Sequence, residues 1–271
     1  MPYANSSGHS LYYEDSAEGS DPLVFVPGFG GIGSFWRSQQ EHFSPRNRVL
    51  TVDHRGTGSS SKMPFNYSIG QMAEDVIAVL DHARIAKATI VGHSTGGVIA
   101  QTMAARWPTR IDRLILSSTW CKPGSYFRHV FEFRRSLLER GDFAGYHAAG
   151  LFFRYRPSDL EKNEDLWTPP DSVDVGITIK RINAVLDSNV SDQARGLLHR
   201  TLVLATNDDL LVPRFLSDEL AATIPSAEYI VLKEGGHFHP ETKSREFNQV
   251  VADFLVMRST CAHSPQEGRS R

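Results

Sequence analysis

The most constraining feature of this chain is a serine between two glycines, in the segment Gly92-His93-Ser94-Thr95-Gly96. An apolar run, Ala88-Thr89-Ile90-Val91, precedes it, and a stretch rich in small and apolar residues follows it. When a strand turns sharply into a helix through G-x-S-x-G, the serine is held in strained backbone geometry with its Oγ exposed. Glycine is needed on both sides because a side chain there would collide with the strand and the helix. The segment therefore predicts that Ser94 is a nucleophile at the end of a strand.

Apolar strands alternate with helical segments along most of the chain. Seven segments have the apolar character of buried strands: 11–14, 23–26, 48–53, 88–91, 113–116, 202–205 and 229–232. Ser68 and Gln71 have the spacing of a capping box at the start of a helix, and a last helix is predicted over 245–256. Continuous apolar strands are typical of a parallel sheet covered on both faces. The pattern predicts an α/β fold with a doubly wound, mostly parallel sheet.

One long segment interrupts this alternation. Residues 121–200 contain no convincing strand, are helical in character and are rich in phenylalanine and tyrosine. An insertion of this size after a core strand indicates a helical cap over the carboxyl edge of the sheet. We therefore predict a core formed by residues 1–120 and 201–258, a helical cap over 121–200, and a polar, disordered tail over 259–271.

Two later strands are followed by candidate partners for Ser94. Asp208 and Asp209 come directly after the predicted strand 202–205, and His237 follows the strand 229–232 behind two glycines. A serine nucleophile needs a base to take its proton, and the base needs a carboxylate to orient it. Parallel strands bring their carboxyl ends to one edge of a sheet, so we expect His237 and one of the aspartates to lie beside Ser94. The other aspartate is expected to cap the helix that follows.

A glycine-rich loop, Val26-Pro27-Gly28-Phe29-Gly30-Gly31, follows the apolar strand 23–26. Acyl transfer needs two backbone N–H donors for the oxyanion that forms. Thr95, the residue after the nucleophile, offers one donor, and Phe29 in this loop is our candidate for the other. The glycines allow this backbone to approach the reacting centre closely.

Together these motifs resemble those of the α/β-hydrolase-fold serine hydrolases, over about residues 10–257. The similarity lies in the segments 27–31, 53–60, 92–97, 208–213 and 235–237. In the family pattern the acid lies four residues before a proline, here Pro213, and this favours Asp209 over Asp208. Segment 53–60 is expected to be structural, with Arg55 holding the loop. Pro27 stands where many members of the family have histidine.

At a finer level the chain is similar to the aminoacrylate hydrolases of pyrimidine degradation, in segments 55–58, 67–73 and 208–213, and to the 3-oxoadipate enol-lactonases. The resemblance implies a hydrolase that cleaves a small ester, lactone or enamine/amide-type metabolite through a covalent acyl-enzyme. Two alternatives stay open. One is hydrolysis of a carbon–carbon bond in a diketone-like catabolite by the same three residues, and the other is a ligand receptor of this fold with little turnover.

The predicted cap is also rich in arginine: Arg128, Arg134, Arg135, Arg154, Arg156 and Arg181. Most of these side chains are expected to be solvated charges on helix faces. One or two that faced inward would bind a carboxylate of the substrate through paired hydrogen bonds.

Composition narrows the remaining classes of function. With 29 lysines and arginines against 31 acidic residues, the net charge is −2, so we expect neither a nucleic-acid nor a membrane partner. Two cysteines and no apparent secretory signal favour a cytoplasmic enzyme with a small-molecule substrate, and a homodimer is left open. We predict no metal, because His237 and His239 lack a third ligand at matching spacing. We also predict no cofactor: Gly28, Gly30 and Gly33 have dinucleotide-loop spacing, but Asp53 is the only candidate ribose-binding acid.

Overall fold

A central sheet of eight strands organises the protein. The computed structural model describes residues 2–63, 67–170, 172–225 and 227–256, so the predicted tail over 259–271 lies outside the described residues. The strands are β1 Tyr3–Ser6, β2 His9–Asp15, β3 Leu23–Val26, β4 Val49–Val52, β5 Ala88–His93, β6 Ile111–Ser117, β7 Arg200–Thr206 and β8 Glu228–Leu232. Their order across the sheet is β1-β2-β4-β3-β5-β6-β7-β8. From β4 onward all neighbouring strands are parallel, whereas β2 is antiparallel to both β1 and β4.

Helices connect the parallel strands, and two further helices follow the last strand. They are α1 Arg37–Phe43, α2 Ile69–His82, α3 Thr95–Arg106, α4 Ser125–Glu139, α5 Phe143–Arg154, α6 Pro157–Leu160, α7 Val175–Leu186, α8 Ser191–Arg195, α9 Arg214–Thr223, α10 His239–Thr242 and α11 Ser244–Val256. Short 3₁₀ segments cover Gly33–Trp36, Pro108–Arg110 and Glu164–Trp167.

The sheet is buried on both faces, as its apolar strands require. In β3, Val24 packs with α2 and α3 on one face, and the adjacent Phe25 packs with α1 and α11 on the other. Successive side chains of a strand point to opposite faces, so a strand with two covered faces must be apolar throughout. The predicted doubly wound, mostly parallel α/β sheet is confirmed.

Between β6 and β7 the chain leaves the sheet. The described residues of this stretch form α4 to α8 and no strand, as the lack of strand pattern indicated. The division into a core and a cap remains our interpretation of this arrangement, and we use the word cap below for residues 121–200.

The sequence pattern did not predict β1, and several predicted strands are shorter than the observed strands. Tyr3–Ser6 is polar and pairs only at the edge, so it lacks an apolar run. The Ser7-Gly8 pair that follows is the sequence signal that could have revealed a hairpin here. In the structure both residues have positive φ, 50° and 84°, which is typical of a tight two-residue hairpin turn. The capping box is half formed. Ser68 Oγ accepts a hydrogen bond from Gln71 N at 3.1 Å, but the return bond of a capping box, from Ser68 N to Gln71 Oε1, is not formed among the described residues.

Candidate active site

Ser94 lies at the junction of β5 and α3 in a strained conformation. Its φ is 54° and its ψ is −122°, a combination that a residue with a side chain rarely adopts. Three neighbours hold this geometry in place. Ser94 N donates to Ser117 O at 2.8 Å, and Ser94 O accepts from Gly97 N at 2.9 Å and from Thr119 Oγ1 at 2.7 Å.

The flanking glycines are required by close approach, as the sequence indicated. A Cβ on Gly96 would lie 2.7 Å from Pro27 O, and one on Gly92 would lie 2.8 Å from Gly97 Cα. Both distances are far inside van der Waals contact. Gly28 is also close, because a Cβ there would lie 3.0 Å from Ser94 Cβ. The glycine-rich loop therefore packs directly against the turn at Ser94.

Asp209 and His237 meet at the carboxyl ends of β7 and β8. His237 Nδ1 lies 2.8 Å from Asp209 Oδ2, and both side chains are buried, at 2% and 1% exposure. Asp209 Oδ1 accepts two further hydrogen bonds, from Leu211 N at 2.9 Å and Val212 N at 2.8 Å. A carboxylate fixed in this way holds the Nδ1–H tautomer of the imidazole and leaves Nε2 as the proton acceptor.

Asp208 has a different task from the one expected. Its two carboxylate oxygens accept hydrogen bonds from Gly235 N at 3.1 Å and Gly236 N at 2.9 Å, and α9 begins after Pro213 without a side-chain cap. The expectation that the second aspartate caps the following helix is wrong. The two glycines have φ of 145° and 64°, so their turn is one that glycine adopts most easily. Asp208 fixes the turn that presents His237.

The two N–H groups of Phe29 and Thr95 have no hydrogen-bond acceptor within the residues described. Thr95 is the first residue of α3, where backbone N–H groups have no helical partner and the helix dipole favours negative charge. The loop that carries Phe29 is held by a turn from Gly31 N to Gly28 O, 3.0 Å, and by His54. Burial lowers the pKa of His54 to about 3, so its neutral ring donates from Nε2 to Pro27 O at 2.9 Å.

Segment 53–60 stabilises this loop through hydrogen bonds. Asp53 accepts hydrogen bonds from Gly33 N at 2.7 Å and Ser59 N at 2.9 Å. Arg55 forms a paired, buried ion pair with Asp75 of α2, with Nε 2.6 Å from Oδ2. Arg55 therefore anchors the loop to a helix of the core, in the structural role expected for it.

Sequence reasoning missed a buried histidine pair behind His237. The ring centroids of His93 and His237 are 4.7 Å apart. Ser117 Oγ joins His93 Nδ1, at 3.1 Å, to His239 Nε2, at 3.0 Å. Burial holds the pKa of His93 well below its usual value and lowers that of His239 to about 4, so both rings are neutral. His239 is thus engaged with a serine, and the part of the chain that is described contains no group of three or more side chains that could hold a metal.

A cavity of about 610 Å³ opens above these groups. Ser94, His237 and Phe29 line its floor, and the cap contributes Arg134, Arg154 and Arg181, among other residues. Of the other cap arginines named from the sequence, Arg128 is exposed, while Arg135 and Arg156 pair with polar or acidic neighbours.

A strand-ordered Ser, Asp and His beside a glycine-rich loop, on a sheet of this order, define the architecture of an α/β hydrolase. The model of the alpha/beta hydrolase fold family matches residues 21–244, and the chain belongs to that family and is a hydrolase. It is 32% identical over 256 residues to the putative carbamate hydrolase RutD of Caulobacter vibrioides, a match covering 90% of this chain and 95% of the relative.

Comparison with solved structures also shows the α/β hydrolase fold. The enol-lactonase of Burkholderia xenovorans LB400 superposes with a TM-score of 0.86 at 27% identity, covering 94% of this chain and all of that one. MGS-M2, an α/β hydrolase from a deep-sea metagenome library, superposes with a TM-score of 0.89 over 97% of this chain; its 23% identity shows the fold alone. Separately, none of the helices described is both long and apolar enough to cross a membrane.

Proposed function

We propose that the protein is a serine hydrolase that cleaves a small ester, lactone or enamine/amide-type metabolite through a covalent acyl-enzyme. The observation that carries the proposal is the buried Asp209–His237 hydrogen bond of 2.8 Å beside the strained Ser94, at the floor of one cavity. A putative carbamate hydrolase and an enol-lactonase among the similar proteins support an acyl C–N or C–O bond as the target. The two-cysteine composition supports a cytoplasmic location.

The proposed reaction has two halves. In the first, Ser94 Oγ attacks the acyl carbon while His237 Nε2 takes the serine proton, and the N–H groups of Phe29 and Thr95 stabilise the oxyanion. The tetrahedral intermediate collapses, and the leaving group departs with the proton from His237. In the second half, water attacks the acyl carbon and gives a proton to His237. The intermediate then collapses, His237 returns that proton to the departing Ser94 Oγ, and the acid is released. Asp209 stabilises the imidazolium that forms in each half.

The test is the reaction of Ser94 with a fluorophosphonate and the turnover of p-nitrophenyl acetate. We expect the probe to add one phosphonyl group at Ser94, located by peptide mass spectrometry, and Ser94→Ala to lose both the label and at least about 10³-fold of the activity. Ser158→Ala, on an exposed serine of α6, is the matched control and should keep both. Activity that survived in Ser94→Ala would refute the proposal, and rapid labelling without ester turnover would favour a receptor.

A further inference from the structure

Three arginines of the cap face the cavity, and their hydrogen bonds go to neutral groups. Arg134 Nη2 donates to Tyr146 Oη at 3.2 Å, Arg154 Nε to Gly150 O at 2.6 Å, and Arg181 Nη1 to Gly30 O at 3.5 Å. Within the described ranges, no carboxylate lies close enough to form an ion pair with any of the three. Each guanidinium therefore retains N–H donors for a ligand.

Holding these charges inside the protein costs free energy. Arg134 and Arg181 are only 5% and 6% exposed, and Arg134 Nε is buried without a hydrogen-bond partner in the part of the chain described. Aromatic faces compensate in part: the Phe29 ring centroid is 5.4 Å from Arg134 Cζ and 5.3 Å from Arg181 Cζ. Such contacts do not replace the paired anion that a buried guanidinium requires. The arrangement is that of a site whose counter-ion is supplied by a ligand.

The three arginines form two centres. Arg134 and Arg154 converge on Gly150, where an added Cβ would lie 3.5 Å and 3.2 Å from their respective Nη2 atoms. Burial, and after it the positive charge of Arg134, lower the pKa of Arg154 to about 10. Arg181 lies instead against the glycine-rich loop, with its Nη1 3.0 Å from a Cβ built on Gly31. Burial lowers the pKa of Arg181.

Other charged groups near the cavity do not cancel these charges. Lys62 and Asp174 line its exposed parts, and Asp174 caps α7 by accepting from Ile177 N at 2.9 Å. Burial and the Arg134 charge lower the pKa of Arg154, and Glu241 opposes this only in part; its carboxylate faces Tyr155 Oη, at 3.4 Å. The interior of the cavity therefore keeps an excess of positive charge.

Building on the proposed hydrolase function, we propose that the substrate is a small molecule with two carboxylates, one bound by Arg134 and Arg154 and the other by Arg181, with its acyl group at Ser94. The planar guanidinium fork matches a carboxylate through two parallel hydrogen bonds. Two separate centres require two separate anionic groups, which a single phosphate does not provide. The centre formed by Arg134 and Arg154, together with the centre at Arg181, therefore favours a ligand with two negative groups over a ligand with one.

The first test measures binding without turnover. Dicarboxylates from succinate to pimelate, monocarboxylates of the same chain lengths, and inorganic phosphate are titrated into the Ser94→Ala protein by calorimetry at constant ionic strength. We expect the best dicarboxylate to bind at least about tenfold more tightly than its monocarboxylate counterpart. Equal affinity for the two classes, or tighter binding of phosphate, would overturn the proposal. Because catalysis is not measured here, failure of the hydrolase proposal would show separately, in the labelling of Ser94.

The second test assigns the centres. In the same background, Arg181→Gln should weaken the best dicarboxylate about 10- to 100-fold and leave the monocarboxylate within about threefold, so that the preference disappears. Arg134→Gln should weaken both classes. Arg128→Gln, at an exposed position on the same helix, should change neither affinity. Thermal unfolding of each variant confirms that it is folded, and an unchanged dicarboxylate preference in a folded Arg181→Gln protein would refute the assignment.

Discussion

At the scale of single residues, two adjacent aspartates divide the positioning of one histidine. Asp209 contacts the His237 ring, whereas Asp208 contacts the backbone of the two residues before it. The Asp209 carboxylate fixes the tautomer of the ring, and the Asp208 carboxylate fixes the conformation of the turn that leads to His237. Both follow β7 and reach across to the segment after β8, which is its neighbour in the sheet.

This division predicts unequal effects of two isosteric substitutions. Asp209→Asn should lower kcat for p-nitrophenyl acetate by roughly 10³- to 10⁴-fold, because the amide favours the wrong imidazole tautomer. Asp208→Asn should lower kcat by less than about tenfold and the free energy of unfolding by about 1–2 kcal/mol, because one charge-assisted hydrogen bond to the glycine turn is lost. Steady-state kinetics and urea unfolding of the two variants measure both effects. A larger kinetic effect at Asp208 would reverse the assignment of the acid.

At the scale of elements, β5, the turn at Ser94 and α3 form one rigid unit because the backbones approach too closely for side chains. Gly96 contacts the backbone of Val26 and Pro27 on the neighbouring strand and loop. The same contact that permits the strained turn also fixes the loop that carries Phe29. The proposed oxyanion donors on Phe29 and Thr95 are therefore positioned by backbone packing rather than by side chains.

Gly96→Ala should consequently destabilise the protein by about 3 kcal/mol, since the new Cβ would overlap the carbonyl oxygens of Val26 and Pro27. The matched control is Gly176→Ala in the first turn of α7, where the nearest atom to an added Cβ is Asp174 Oδ1 at 3.6 Å. That control should be neutral or stabilising by up to about 1 kcal/mol. Urea unfolding of both variants measures the difference. Equal stability of the two would contradict the close-packing explanation.

At the scale of the whole molecule, the fold buries several histidines in their neutral form, and this makes stability depend on pH. His54 and His239 have pKa values lowered by burial to about 3 and about 4, against about 6.5 in an unfolded chain. Below pH 6.5 the unfolded state therefore binds protons that the folded state does not. Their contribution to stability is complete above pH 6.5 and is lost as the pH falls toward the folded values.

The free energy of unfolding should fall by about 1.4 kcal/mol per pH unit for each such histidine between pH 6.5 and pH 4.5. His239→Gln keeps hydrogen-bonding groups for Ser117 and Ser118 and removes one titration, so its slope should be shallower by about that amount. His129→Gln, at an exposed histidine of α4, should keep the original slope. Urea unfolding at a series of pH values gives the slopes. Identical slopes for His239→Gln and the unmodified chain would disprove this origin of the pH dependence.

Local patterns were sufficient for much of the fold. The apolar strands of the sheet interior were predictable because a strand with two covered faces has few polar positions, and the Ser94 turn was predictable because only glycine fits beside it. β1 was not found, because an edge strand such as Tyr3–Ser6 needs no apolar run. Ser68 and Gln71 have the spacing of a capping box, but among the described residues only the bond from Gln71 N to Ser68 Oγ forms.

The sequence by itself determined the strand–turn–helix around Ser94, the parallel α/β sheet, and the residue types that follow β7 and β8, because each depends on chemistry within a few neighbouring positions. Only the tertiary structure decided which oxygen of Asp209 meets His237, and that Asp208 supports the glycine turn instead of a helix. It also decided which of the nine cap arginines face the cavity. Those outcomes depend on how segments that are far apart in the sequence pack together. In the sequence, an arginine on an exposed helix face is not distinguishable from one on a buried face.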